Sequence, residues 1–285
     1  MQANEEIIKR WSASAPFWEK YHQVIRQMFA PITQALVEEA QVRPRQTVLD
    51  VATGSGEPAL SLSPLVGPDG AVCGVDPIPD MIAGARRSAD RLKLKNIKFE
   101  IAFADQLPFP DHTFDAAVSR FGIMFFPSPV DGVREILRVL KPERKFAIAV
   151  WSSAEKNPFH FTLSRIMDRF VPPVPPAPDA PDMFLFAQSG KLIEVLRNAG
   201  AAIPHERLFQ FKIEASVSPE DFWALRCEMS ETLRDRIAGL SAPQREEVGR
   251  LAIESIREYS TPVGISFPAE VLIASGAKTA ISKQS

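Results

Sequence analysis

The chain has only two cysteines in 285 residues, Cys73 and Cys227. They are too few for a disulfide framework and too far apart in sequence for a zinc site, so no metal is expected. Cys73 falls in an apolar run and reads as core. An excess of charge is also missing: the formal net charge is −2 and the Lys and Arg residues are scattered, which leaves no field to draw a polyanion and argues against nucleic acid as a partner. No apolar run reaches the roughly 18 residues of a membrane span, and residues 1–6 are acidic where a signal peptide is basic. The expectation is a soluble, cytoplasmic protein. There is no internal repeat. What remains is a globular composition, 45% hydrophobic and 24% charged, long enough for one large domain or one domain with a smaller elaboration.

Between residues 47 and 151 strand-like apolar runs alternate with helical stretches, the pattern of an α/β fold with a mostly parallel sheet. The strands are expected at 47–51, 71–76, 97–104, 114–119 and 145–151. Val133, Ile136, Leu137 and Leu140 recur at helical spacing, and Pro142 marks that helix's end. Residues 1–45 are expected to be a helical cover carrying Trp11, Phe17, Trp18, Tyr21 and His22. Residues 46–152 form the core, and 153–285 complete the sheet. This last part opens with a proline-rich run at 171–178, which cannot be regular helix because proline lacks the amide donor. A helix around Leu192, Val195 and Leu196 follows, with a strand near 206–212, helices over 219–259 and a last strand at 270–275. The 219–259 insertion is a candidate substrate cap.

The chemistry concentrates at three strand ends. Residues 48–60 read as a strand closing on Asp50, then Gly54-Ser55-Gly56, then a helix start at Pro58. Glycines serve where the backbone bends tightly and approaches a ligand, and Gly54-x-Gly56-x-x-Ala59 also satisfies a dinucleotide fingerprint. Asp76 ends the second strand at the distance expected of a ribose-binding carboxylate, which does not discriminate between cofactor classes. Asp105, with Leu107, offers an acceptor for an exocyclic amine and apolar surface for a nucleobase, a combination dehydrogenases do not generally need.

The run from Val48 to Trp151 resembles the class I S-adenosylmethionine-dependent methyltransferases, in particular the type 11 group that includes ubiquinone and menaquinone biosynthesis enzymes. The resemblance is carried by residues 50–56, Gly74-Val75-Asp76, Ala104-Asp105-x-Leu107-Pro108-Phe109, Ser119-Arg120-Phe121-Gly122 and residues 138–142. It implies a Rossmann-like, seven-stranded, mostly parallel sheet with an antiparallel last strand. S-adenosylmethionine would lie across the strand ends, with Gly54 and Gly56 flanking its methionine part, Asp76 on the ribose, Asp105 at the adenine amine and Asp50 supporting the turn. The further cofactor candidates are Thr53, Ser55, Pro77, Met81, Gln106, Leu107, Ser119, Arg120 and Phe121. A cofactor with a cationic sulfonium and no phosphate also suits a turn flanked by Asp50 and Glu57. Two positions depart from the family pattern: Ala52 stands where glycine is frequent, and Glu143-Arg144 replaces a Gly-Gly turn.

Methyl transfer relies largely on orientation and desolvation, and needs a base only when the acceptor loses a proton. His22 and His160 are the candidates, with His112 also near the predicted site. Asn157-Pro158-Phe159 matches a motif of DNA amino-methylating enzymes, but it follows the fifth strand and not the fourth, which disfavours DNA as substrate. A small, largely apolar acceptor, methylated on oxygen or carbon, is favoured, and a homodimer stays open. A nicotinamide-dependent oxidoreductase and a non-catalytic S-adenosylmethionine-binding protein are the alternatives.

Overall fold

A computed structural model describes residues 8–9, 11–173 and 181–280. The part of the proline-rich run beyond Pro173 lies outside the described residues. Two helices, α1 (Ala15–Lys20) and α2 (His22–Glu39), precede the alternating core of β1 (Thr47–Val51), α3 (Ala59–Val66), β2 (Ala71–Asp76), α4 (Pro79–Arg91), β3 (Ile97–Ile101), β4 (Phe114–Arg120), α5 (Pro129–Val139) and β5 (Leu140–Trp151). Then come α6 (Pro158–Asp168), α7 (Lys191–Asn198) and β6 (Ala202–Ala215). The helices α8 (Pro219–Met229), α9 (Glu231–Ala238) and α10 (Ala242–Arg257) lead to the short β7 (Ser260–Thr261) and the long β8 (Gly264–Ala277).

The sheet runs β3-β2-β1-β4-β5-β8-β6, with β7 paired to β8 off this path. The strands β1 to β5 pair in parallel, and β8 lies antiparallel between β5 and β6. The expected seven strands are therefore present, joined by a two-residue eighth. Parallel strands covered on both faces need apolar side chains at nearly every position. Val48, Leu49, Ala116, Ala117, Phe146 and Ala147 are all fully buried. The helix α5 turns Val133, Ile136 and Leu137 inward at the spacing the sequence shows. The strand order reverses between β1 and β4, and at such a switch point the loops leaving the carboxyl ends diverge and open a crevice.

Several strands differ in length from their sequence expectation. β3 stops at Ile101 because residues 102–106 leave the ladder, while β6 and β8 extend past the predicted 206–212 and 270–275 to pair over most of their length. An exposed edge strand such as β6 lacks the continuous apolar run that marks a core strand, so its ends are invisible to a hydrophobicity reading.

Without the usual glycines, the bulged turn early in β5, where its pairing with β4 shifts between Leu140 and Lys145, places Glu143 at φ +61°, with its amide donating to Lys278 O at 3.1 Å. A side chain in this left-handed region costs roughly 1–2 kcal/mol, part of which glycine gives back through a more flexible unfolded chain. Glu143→Gly is expected to raise the melting temperature by about 2 °C in a thermal scan. An unchanged or lowered midpoint would show that this turn is unstrained.

Candidate functional site

The site begins with one buried carboxylate. Asp50, the penultimate residue of β1, is wholly buried, and its Oδ2 accepts hydrogen bonds from Thr53 Oγ1 at 2.6 Å and from the Ala59 amide at 2.9 Å. It thereby closes the loop from β1 into α3 and caps that helix. A dinucleotide's pyrophosphate would need the same amide end of the helix, and a carboxylate already fills it. The second oxygen, Oδ1, is buried with no partner. Desolvation pushes the Asp50 carboxyl up to about 7.

Two backbone positions shape the loop. Ala52 adopts φ +60°, which explains why glycine is frequent there, and Gly54 adopts φ +55°. A Cβ added to Gly54 would meet only open space, so this peptide presents its bare backbone to the crevice. Asp76, at the end of β2, accepts from the Gly54 amide at 2.9 Å and the Ile78 amide at 3.0 Å, one on each oxygen. Each carboxylate oxygen keeps further acceptor capacity. Burial raises this carboxyl to about 6, against the two amide hydrogen bonds that lower it.

The end of β4 supplies Arg120 and Phe121. Arg120 is only 8% exposed, with Nη1 donating to Thr33 Oγ1 on α2 at 2.8 Å and its guanidinium 5.5 Å from the Phe29 ring centre. Phe121 sits at φ +61° and stacks on Trp151 with centroids 4.3 Å apart. Non-glycine residues in left-handed conformation on both sides of the switch point mark it as a place where backbone strain is tolerated.

The N-terminal segment forms the opposite wall. Trp11 and Trp18 line the pocket, and Trp11 packs edge-on against Phe125 at 5.2 Å. His22, Ile25 and Phe29 line it from α2. The segment is pinned on two sides at the C-terminal end of α1. Glu19 pairs with Arg87 at 2.6 Å and Arg91 at 3.1 Å on α4, while Lys20 and Tyr21 reach Glu228 on α8 at 2.5 and 2.8 Å. The Arg87 guanidinium, together with Arg91, holds the Glu19 carboxyl down to about 2 against its partial burial.

Of the residues expected from sequence, the pocket brings together His22, Thr53, Gly54, Ser55, Asp76, Pro77, Met81, Arg120 and Phe121. Asp50, Gly56 and Ser119 lie in the layer beneath it and shape its floor. Gly56 faces Leu60 and Ala85, and Ser119 Oγ packs under Gly122. The acid-bearing turn after β3 is placed differently from expectation. Asp105 and Gln106 are exposed and off the pocket wall, Leu107 is turned into the core, and Ala102, Phe103 and Ala104 form the wall instead. The physical reason is Arg138, which binds the Leu107 and Phe109 carbonyls and Glu135, fixing this loop on α5.

His160 is not on the pocket wall either. It is buried behind Trp151 and Phe159, edge-on to Trp151 at 4.6 Å, and desolvation followed by the nearby Arg226 drives its pKa well below the usual range. His112 lies at the start of β4, at the opposite end of that strand from Arg120. The pocket wall also includes Glu57, Ile78, Ile25 and Phe29, which are not among the candidates the sequence offers. A signal for part of this set existed, since Trp18, His22, Ile25 and Phe29 are spaced four, three and four apart, one face of a helix.

Comparison with known proteins agrees with this geometry. A family model described as a methyltransferase domain matches residues 43–172. The ubiquinone/menaquinone biosynthesis C-methyltransferase UbiE of Pseudomonas fluorescens is 36% identical over 135 residues, 47% of this chain and 51% of that protein. The uncharacterized methyltransferase YcgJ of Bacillus subtilis is 34% identical over 136 residues, 48% of this chain and 49% of that protein. The chain thus spans about half the length of the curated relatives it matches. In fold, the crystal structure of YcgJ superposes with a TM-score of 0.57 at 19% identity, covering 88% of this chain and 99% of that one. A putative methyltransferase of Bacillus halodurans gives 0.54 at 21%, covering 87% and 98%.

The raised carboxyls make a prediction about stability. Asp50 and Asp76 hold their protons more tightly folded than unfolded, so their contribution is fully present below about pH 4, the ordinary aspartate value, and is lost as pH rises through about 6 and 7. Asp50→Asn keeps an oxygen for Thr53 and Ala59 but cannot ionise. In urea unfolding of the ligand-free protein, the stability difference between variant and parent should move in favour of the variant between pH 4 and pH 8. A difference independent of pH would contradict the buried, proton-retaining state of Asp50.

Proposed function

Since residues 43–172 form a class I S-adenosylmethionine-dependent methyltransferase domain, we propose that the whole protein is an enzyme that methylates a small, largely apolar metabolite. The observation that carries the reading is the pocket itself: a bare glycine backbone and the strand-end acid Asp76 on one side, and Trp11, Trp18, Phe29, Phe121, Phe125 and Phe126 on the other. Apolar enclosure with a few placed polar groups is the pattern of a small-ligand site.

The residues present fit the cofactor. Gly54 leaves room for close backbone approach, Asp76 has acceptor capacity for two ribose hydroxyls, and Ile78, Met81 and Phe103 offer apolar walls for a purine. Two buried polar atoms at the site, Asp50 Oδ1 and Trp18 Nε1, have no partner among the described residues. Such orphans are costly unless a ligand or water completes them. S-adenosylmethionine supplies an electrophilic methyl carbon on a sulfonium that departs as a neutral thioether.

The chain's own contribution is to orient the partners and exclude water. We take residues 8–39 as a cover over the crevice. The 219–259 insertion contributes no residue to the pocket wall among those described; it braces the cover from behind through Glu228 and through Arg234, whose Nη2 donates to Ser14 Oγ at 3.1 Å. His22 is the candidate base. Its Nδ1 lies 2.9 Å from the Glu19 carbonyl, which can only accept, so Nδ1 carries the hydrogen and Nε2 keeps its lone pair in the neutral ring. A base at this place suits a hydroxylated ring, ionising the hydroxyl so that oxygen or an adjacent ring carbon becomes nucleophilic. The relatives named as C-methyltransferases favour carbon.

Calorimetric titration with S-adenosylmethionine is expected to show binding, and Asp76→Ala is expected to lose most of it, since the carboxylate both accepts from the ligand and holds the Gly54 turn. Affinity within threefold of the parent would remove Asp76 from the ribose site. Radiolabelled methyl transfer compared across phenols, quinols, amines, oligonucleotides and peptides should label the ring hydroxyl compounds; labelling confined to oligonucleotides or peptides would overturn the small-molecule reading. For a phenolic acceptor, His22→Gln should lower kcat by about 100-fold or more while leaving S-adenosylmethionine affinity within threefold. A parental kcat would clear His22 of that role.

A further inference from the structure

Arg120 and Glu57 carry opposite charges into the same pocket, and both side chains are more than nine-tenths withdrawn from solvent. No ion pair joins them. Arg120 has no carboxylate within 4 Å, although burial and the fields of Glu57 and Asp50 all act on it. Its Nη1 is tied to Thr33 Oγ1 and to the Phe29 carbonyl, while Nε and Nη2 have no acceptor among the described residues. Glu57 accepts from Ser61 Oγ at 2.7 Å through Oε2, and Oε1 keeps only a long ion pair, 3.7 Å, with the half-exposed Arg26 Nε, so this oxygen has acceptor capacity left. A buried guanidinium with no carboxylate against it is costly unless something completes it. Glu57 belongs to the glycine-turn segment that starts α3, and Arg120 lies across the switch point at the end of β4, so what completes them must lie across the mouth of the crevice.

A group with a carboxylate at one end and an ammonium at the other has that charge pattern. We infer that Arg120 and Glu57 form a two-pole clamp for the amino-acid end of S-adenosylmethionine, Arg120 taking the carboxylate and Glu57 the ammonium; this rests on the cofactor reading above. Thr33 and the Phe29 ring hold the guanidinium in place, so little rotamer freedom is lost on binding. The clamp also joins the cover to the cofactor, because the residues that fix Arg120 belong to α2.

The test compares two ligands. S-adenosylhomocysteine has the amino-acid end, whereas 5′-methylthioadenosine keeps the adenosine and the thioether but lacks that end. In calorimetric titrations, Arg120→Met should weaken S-adenosylhomocysteine by roughly 10- to 100-fold, the usual range for a hydrogen bond to a charged group. It should leave methylthioadenosine within twofold, which also shows the variant folded. Arg120→Lys should recover part of the loss, and Glu57→Gln should weaken S-adenosylhomocysteine selectively. If the ratio of the two affinities stays at the parental value in both Arg120→Met and Glu57→Gln, the clamp is wrong, and an unchanged absolute affinity would assign Arg120 to an anionic acceptor instead. If the parent binds neither compound, the cofactor reading itself fails.

Discussion

The tie between Asp50 and the first amide of α3 is the constraint on which the crevice depends. A parallel strand and the helix that follows it need a short turn, and the turn leaves a helix amide without a partner in a place water does not reach. One carboxylate oxygen satisfies that amide and the Thr53 hydroxyl together. Because the carboxylate occupies the helix end, the loop above it presents glycine backbone and the edge of Asp76, and no free helix N-terminus. The preference for a cation-bearing ligand over a phosphate-bearing one therefore follows from how the turn is closed. The same burial makes the ligand-free site electrostatically uncomfortable, with two acids pushed up to about 7 and about 6.

Around this fixed floor the wall is supplied by the part of the chain least involved in the sheet. The helix α1 touches α4 through the Glu19, Arg87 and Arg91 group and touches α8 through Glu228. Both links are largely solvent-exposed, where ion pairs contribute little each and weaken with salt. The α2 wall is anchored differently, by Met28, Ile32 and Leu36 buried against the sheet. The α1 side of this wall is thus held by polar contacts and the α2 side by the core, so α1 is the less firmly held of the two.

The core was legible from sequence because its determinants are local. The apolar runs of β1, β2 and β4, the helical spacing of Val133, Ile136 and Leu137, and the glycine turn after Asp50 each state their structure within a few residues. Asp76 was legible for the same reason. Asp105 was misplaced because its position depends on Arg138, a residue more than thirty places later that grips the Leu107 carbonyl. His160 looked available in sequence, but its burial depends on Trp151, Phe159 and Phe184 converging from separate segments. The insertion over 219–259 reads in sequence as a candidate substrate cap, and the structure has three helices between Pro219 and Arg257. Whether a helix faces a pocket or another helix depends on packing that no short window contains, and the described structure places it behind α1.

The distribution of charge in the pocket separates two tasks that the chain carries out with different parts. Asp76, Glu57 and Arg120 come from strand ends or the turn that follows them, so their separations are set by the sheet. Trp11, Trp18, His22 and Ile25 come from helices outside the sheet and supply shape, apolar surface and one imidazole. A ligand recognised by charge needs the rigid set, because the energy of a buried ion depends steeply on distance. A ring recognised by area tolerates the movable set, since apolar contact is non-directional. On the proposed function, acceptor choice would therefore rest with the N-terminal helices, and changes there would alter the acceptor while leaving Asp50 and the turn it closes in place.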